Sequence, residues 1–221
     1  MDAAVKSLKA SKGIEFLRLH GCLVVAPQSI DHLLKLYDSG FHEGRLVVIE
    51  HRDKEFNHLK GHPKKNKWLK HHKATIQQLP TLAGYKWKHR YALVVFHPSY
   101  HSLSTETMLQ AVEVVKQITT PGGRVLYQQL EDRSLPEEVS LVFNATSPFF
   151  YRSEKLTVQI FASQGFSGSC YAANSRGPDT YARYNFTRIE EQTQTDLTAT
   201  QDTAIQKIKY FTRIGVLSKQ E

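Results

Sequence analysis

One tract of the chain, residues 51–90, holds the excess positive charge of the whole protein, and this charge restricts how the tract can fold. It contains eleven Lys and Arg but two acidic residues, Asp53 and Glu55, whereas the 221-residue chain has a net charge of +8. After Glu55 the next acidic residue is Glu106. Because crowded like charges repel, this tract must be solvated at the surface or meet an external anion.

The preferred interpretation of the tract is a nucleic-acid interface. Lys and Arg release counterions when they neutralise phosphates, and aromatic rings stack on unpaired bases. Lys predominates over Arg here, which favours contact with phosphates over readout of bases. The sequence therefore predicts a non-enzymatic protein that binds single-stranded RNA or DNA with low sequence specificity. The predicted contacts are Lys64, Lys65, Lys67, Trp68, Lys70, Lys73, Lys86, Trp87, Lys88 and Arg90.

Other interpretations of the same tract stay open. It could dock on an anionic membrane as a matrix or assembly protein, because each basic residue contributes about 1 kcal/mol near the lipid headgroups and tryptophan favours the interface. Small basic viral proteins combine both behaviours, and the segments 46–56 and 96–100 resemble plant-virus movement proteins. A viral structural or movement role is therefore included. A histidine-dependent nuclease and a plain solvated loop are further alternatives, and the protein could form an oligomer.

Composition favours a globular intracellular protein. The chain is 40% hydrophobic and 23% charged, which excludes collagen-like and wholly disordered classes. Glu15 and Arg18 interrupt the apolar residues near the N-terminus, which argues against a cleaved signal peptide. Cys22 and Cys170 are too few for a disulfide framework. We expect a cytoplasmic or nuclear protein rather than a secreted one.

Sequence motifs give no support to catalysis. Neither Gly-x-Gly-x-x-Gly nor a P-loop pattern occurs, so nucleotide-binding loops are not expected. His58, His62, His71 and His72 are close in sequence, but the cysteines are remote and residues 56–105 lack acidic side chains. Zinc sites usually include cysteine or carboxylate ligands beside the histidines. Exposed histidines that reinforce the basic tract are therefore the better interpretation. The sequence therefore predicts no catalytic residues, no cofactor and no metal.

Hydrophobic patterns predict strands in much of the chain. The predicted strands lie at residues 14–19, 22–26, 46–49, 91–96, 124–127, 139–143, 155–161 and 181–187. Helices are predicted where apolar residues recur at helical spacing, at residues 29–37, near 104–119 and near 202–213. Residues 54–82 and 164–179 are expected to be loops, since glycine, proline and polar residues interrupt any period.

These elements predict an α+β fold with an antiparallel β-rich body, either sandwich-like or mixed-layer. Two or three helices and a basic lobe would complete it. The expected organisation has three parts. Residues 1–50 form a strand–helix–strand unit, residues 51–90 form the basic lobe, and residues 91–221 form the β-rich domain with the two later helices.

Overall fold

The computed structural model of the protein describes residues 2–27, 30–41, 46–61, 69–82, 90–96, 103–130, 137–143, 147–175 and 180–188. The helices are α1 Asp2–Leu19, α2 Ile30–Asp38, α3 Asp53–Gly61, α4 Thr105–Ile118 and α5 Glu154–Ala162. The strands are β1 Gly21–Val25, β2 Leu46–Ile49, β3 Leu69–His72, β4 Tyr91–Phe96, β5 Thr119–Leu130, β6 Glu138–Phe143, β7 Ser147–Arg152, β8 Phe166–Ser175 and β9 Thr180–Arg188. One turn of 3-10 helix covers Leu79–Thr81.

Seven of the described strands form one sheet, in the order β3-β2-β1-β4-β5-β9-β8. The strands from β3 to β5 run parallel, whereas β9 pairs antiparallel with β5 and β8 pairs antiparallel with β9. From β1 the chain winds outward to β3, and it then resumes with β4 on the other side of β1. The winding therefore reverses between β1 and β4, which makes this position the topological switch point of the sheet.

Helices cover both faces of the sheet and explain why its central strands are apolar throughout. Every residue of β1, β2 and β4 is buried, as expected for parallel strands between two helical layers. Leu23 and Val25 of β1 belong to the core that includes residues of α4 and α5. Cys22 and Val24 belong to the core that includes residues of α1 and α2. The molecule is therefore a three-layer α/β structure.

The predicted antiparallel β-rich body is wrong, because the centre of the sheet is parallel and helices alternate with its strands. The individual signals for β2, β4 and α4 are confirmed. Their arrangement depends on pairing between distant segments, such as β1 with β4, which local patterns do not encode. The three-part division stays a prediction, and strands from each of its parts hydrogen-bond in the one sheet.

The strand predicted at residues 155–161 is wrong, because these residues lie in the helix α5. Leu156, Val158 and Ile160 alternate as they would on one face of a strand, yet the buried residues include Leu156, Thr157, Ile160 and Phe161, at helical spacing. The Ser153 hydroxyl accepts a hydrogen bond from the Leu156 backbone N–H at 3.2 Å. This N-cap satisfies a backbone donor that the first helical turn leaves free.

Three further expectations differ from the structure. Residues 14–19 belong to α1 rather than to a strand. Residues 54–82, expected to be a loop, contain most of α3 and all of β3, and residues 164–179 contain β8. The helix predicted near 202–213 lies outside the described residues. Within the described ranges, no helix combines the length and the apolar character needed to cross a membrane.

Candidate functional site

The carboxyl ends of the parallel strands β1 to β5 form one edge of the sheet, here called the carboxyl edge. The backbone places the ends of three strands side by side there. The Ala26 N–H donates to the Ile49 carbonyl at 2.9 Å, and the Glu50 N–H donates to the His72 carbonyl at 3.1 Å. In open α/β sheets, ligands bind outside this edge at the switch point. The segment that follows β1 and the residues that follow β2 are therefore the first place to search for a site.

Ala26, the residue directly after β1, has an unusual backbone conformation. Its φ is 51°, although it is not a glycine, and its side chain is buried. Residues with a side chain seldom adopt this left-handed region, because the Cβ atom is crowded there. Strain of this kind persists where the surrounding structure enforces it, and it is concentrated at functional sites. The chain therefore leaves β1 through a left-handed residue that is not a glycine.

Glu50, the residue directly after β2, is a buried carboxylate at the same edge. Its side chain is fully shielded from solvent. The Oε1 atom accepts from the Arg52 backbone N–H and from Arg52 Nε, both at 2.9 Å. The Oε2 atom accepts from Arg52 Nη2 at 2.7 Å. Among the described residues, Arg52 therefore supplies the donors that make this buried charge tolerable.

The Arg52 contacts also keep Glu50 ionised. Burial alone would raise the pKa of Glu50, but the hydrogen bonds and positive charge of Arg52, with a smaller contribution from His51, hold that pKa below its ordinary value. Hydrogen bonding to Glu50 raises the pKa of Arg52 in turn. The carboxyl edge therefore carries a buried negative charge that can accept hydrogen bonds from a ligand.

Further polar contacts fasten the elements around Glu50. Asp53, at the start of α3, forms an ion pair with Lys73, which follows β3. The Arg52 guanidinium lies 3.9 Å from Glu55 Oε1, measured from Nη1. On the far side, Gln77 Nε2 donates to the Thr107 carbonyl at 3.4 Å, so the segment after β3 contacts the start of α4.

The β6–β7 hairpin anchors the start of α4. Arg152 is 2% exposed, and its Nη1 atom donates to the Leu103 carbonyl at 2.7 Å. Its cross-strand partner is Glu138, which accepts a hydrogen bond from the Thr105 hydroxyl. One strand pair thus holds both residues that flank Ser104, the N-cap of α4. This connection leads from β4 into α4, so the hairpin stabilises the β4 side of the switch point.

Most of the predicted nucleic-acid contacts lie outside the described residues. Those are Lys64, Lys65, Lys67, Trp68, Lys86, Trp87 and Lys88. Lys70 is exposed on β3, and Lys73 lies at the carboxyl end of that strand in an ion pair with Asp53. Arg90 directly precedes β4 and therefore lies at the opposite edge. The structure does not bring these three cations together.

The histidines of the basic tract have different surroundings. His58 is exposed on α3, and His71 packs its ring against Phe56 with 5.2 Å between the ring centroids. Burial, with a smaller contribution from the charge of Lys70, lowers the pKa of His72. His62 lies outside the described residues. In the described part of the chain, no group of three or more potential metal ligands is present.

Comparison with known proteins gives a consistent result at the level of structure. No protein-family model matches the sequence, and no curated protein matches it significantly. The structure of the N-methyltransferase NodS from Bradyrhizobium japonicum WM9 matches with a TM-score of 0.61 at 13% identity, covering 86% of this chain and 94% of that one. The fold is that of the S-adenosylmethionine-dependent methyltransferases.

Two further methyltransferase structures support the assignment of this methyltransferase fold. The 1,6-didemethyltoxoflavin-N1-methyltransferase of Burkholderia thailandensis, solved with bound S-adenosylhomocysteine, matches at a TM-score of 0.58 and 10% identity, over 86% of this chain and 80% of that one. An S-adenosylmethionine-dependent methyltransferase from Mesorhizobium loti matches at a TM-score of 0.59 and 8% identity, over 84% of this chain and 96% of that one.

The methyltransferase fold overturns the functional interpretation of the sequence. The matching structures are those of enzymes, so the interpretation as a non-enzymatic nucleic-acid-binding protein of viral or membrane-associated type is wrong. The charge of the basic tract did not identify a partner, because at least two of its cations, Arg52 and Lys73, form ion pairs within the fold, with Glu50 and Asp53. Preference for a nucleic-acid partner stays an untested prediction.

The residues at the carboxyl edge of this methyltransferase fold suit an adenosyl ligand in one clear respect. A nucleoside needs a hydrogen-bond acceptor for its ribose hydroxyls, and folds of this class supply it from an acidic residue at the end of the second strand. Glu50 occupies that position and is ionised. The site departs from nucleotide-binding fingerprints at Ala26 and Pro27, where no glycine is present. Glycines there let the backbone approach a pyrophosphate, a group that S-adenosylmethionine lacks.

Sequence reasoning missed Glu50 although a signal was present. An acidic residue directly after a buried strand, in a strand–helix–strand unit, is the pattern of a ribose-binding acid. Without a glycine pattern after β1, the sequence predicted no nucleotide site, so Glu50 was not identified as a candidate ribose-binding residue.

Proposed function

We propose that this protein is an S-adenosylmethionine-dependent methyltransferase that binds its cofactor at the carboxyl edge, between β1 and β4. The observation that carries the proposal is the ionised, buried Glu50 beside the switch point of a methyltransferase fold. When bound, the cofactor supplies an electrophilic methyl group on a sulfonium sulfur, which an acceptor's nucleophilic atom takes up.

Residues on the two sides of the switch point would have different roles, one side in binding the cofactor and the other in admitting the acceptor. Glu50 accepts hydrogen bonds from the ribose hydroxyls and so orients the nucleoside. Its negative charge also favours a ligand with a positive sulfonium over a neutral one. The β4 side, where Arg152 fastens the start of α4, is the side from which an acceptor would approach. Holding the two reactants in a fixed geometry provides much of the acceleration in such transfers.

Calorimetric titration with S-adenosylhomocysteine tests this proposal, because the titration needs no knowledge of the acceptor. We expect the wild-type protein to bind one equivalent. Glu50→Ala should weaken binding by about tenfold or more, since a charge-assisted hydrogen bond contributes roughly 1.5–3 kcal/mol.

The matched control is Glu113→Ala, which removes an exposed carboxylate from α4. It should leave the affinity unchanged. Thermal melts establish that each variant is folded, and Glu50→Gln, which keeps the shape of the side chain, replaces Glu50→Ala if the latter unfolds. No binding by the folded wild-type protein would refute the proposed function, and equal binding by wild type and Glu50→Ala would refute the role of Glu50.

A further inference from the structure

The Arg52 side chain lies between two carboxylates. Its Nε and Nη2 atoms donate to Glu50 at 2.9 Å and 2.7 Å. Its Nη1 atom lies 3.9 Å from Glu55 Oε1, and Glu55 is three residues further along the chain. A rotation of the guanidinium towards Glu55 would therefore exchange one carboxylate partner for the other and keep the positive charge paired.

The pairing with Glu50 closes the ribose-binding position. The Glu50 side chain is 0% exposed and the guanidinium donates to both of its oxygens, so a ligand hydroxyl competes with the guanidinium for the carboxylate. The Arg52 and Glu55 side chains are 35% and 40% exposed, so both have free space on their solvent side.

The backbone keeps Glu50 oriented during such a movement. The Arg52 backbone N–H donates to Glu50 Oε1 at 2.9 Å, and side-chain rotation leaves this bond in place. His51 Nδ1 lies 3.7 Å from the same oxygen and adds a second cation there when it is protonated. Opening therefore frees Glu50 Oε2, the atom bonded to Nη2, while the carboxylate stays in position for a ligand.

From this geometry we infer that Arg52 is an intramolecular competitor for the ribose site on Glu50, and that Glu55 receives the guanidinium when an adenosyl ligand binds. The inference rests on the proposed function and names the residues that set its cofactor affinity. An affinity measured on a protein whose competent state is partly populated is reduced by that population. Arg52 would lower the affinity, and Glu55 would raise it.

Four variants separate this competition from a structural role. Arg52→Ala removes the competitor, Arg52→Lys weakens it because an ammonium lacks the planar fork that engages both oxygens, and Glu55→Gln removes the second partner. Arg18→Ala is the matched control, since it breaks an exposed Arg–Glu pair at 2.6 Å on α1. Each is titrated with S-adenosylhomocysteine at about pH 8, well above the ordinary pKa of a carboxyl group.

We expect Arg52→Ala to bind about tenfold more tightly than wild type and Arg52→Lys to fall between them. Glu55→Gln should bind several-fold more weakly, and Arg18→Ala should bind as wild type does. A residue that merely supports the fold would give the opposite sign for Arg52→Ala. If thermal melts show that Arg52→Ala is unfolded, Arg52→Lys gives the sign.

The results distinguish the inference from the function on which it rests. Binding by wild type with no tightening in the folded Arg52 variants would overturn the competition and leave the proposed function standing. Measurable binding by wild type together with tighter binding by Arg52→Ala would support both. No binding by wild type or by any folded variant would overturn the proposed function, and the competition would be overturned with it.

Discussion

At the scale of single residues, Glu50 shows how hydrogen bonds compensate for the burial of a charged carboxylate. Removing a carboxylate from water costs several kcal/mol unless its oxygens are hydrogen-bonded. Arg52 offsets that cost with a backbone N–H and two guanidinium contacts. Arg52 stays partly exposed, so solvent reaches the guanidinium of this pair but not the carboxylate.

The depressed pKa of Glu50 predicts a pH dependence of stability. A carboxyl with a folded pKa below its ordinary value of 4.5 stabilises the fold above that pH, and the stabilisation is lost as the pH falls through the lower, folded pKa. We therefore expect Glu50→Gln to be less stable than wild type at neutral pH, with the gap narrowing in acid. Urea unfolding at a series of pH values measures this gap.

The exposed Glu113→Gln variant is the control and should show no such narrowing. A gap between wild type and Glu50→Gln that is constant with pH would contradict the stabilisation by ionised Glu50.

At the scale of elements, α5 shows how a hydrophobic pattern predicts the wrong element when its residues fit both strand and helix spacing. Leu156, Val158 and Ile160 satisfy a strand pattern, and Leu156 and Ile160 also satisfy a helical one. The cap by Ser153 and the burial of Phe161 favour the helix. The strand β3, in the basic tract, was missed for a different reason. Leu69 is its one buried residue, and its other residues are polar. An edge strand of this kind leaves little hydrophobic signal.

The helical assignment of α5 predicts unequal effects of two truncations. Ile160→Ala should cost about 3 kcal/mol of unfolding free energy, because Ile160 is 1% exposed and its removal leaves a cavity. Val158→Ala should cost about 1 kcal/mol or less, since Val158 lies at the margin of the core. Urea unfolding of both variants provides the comparison. Similar losses for the two would indicate a strand with both side chains on one buried face.

At the scale of the whole molecule, the fold depends on contacts that the local sequence does not encode. The apolar runs of β1, β2 and β4 were recognisable, and the helix α4 was predicted nearly to its ends. Because connections between parallel strands are right-handed, the reversal of winding between β1 and β4 places helices on both faces of the sheet. The site follows from this topology, since Glu50 and Ala26 become neighbours only when β1 and β2 pair.

The position at which the ligand binds is the most decisive test of the proposed cofactor site. Backbone amide resonances of the labelled protein, recorded during titration with S-adenosylhomocysteine, report which residues the ligand approaches. The proposed cofactor site predicts that the shifts concentrate at Ala26, Glu50 and Arg52, on the carboxyl edge beside the switch point. Shifts confined to the antiparallel strands β8 and β9, or no shifts at saturating ligand, would contradict it.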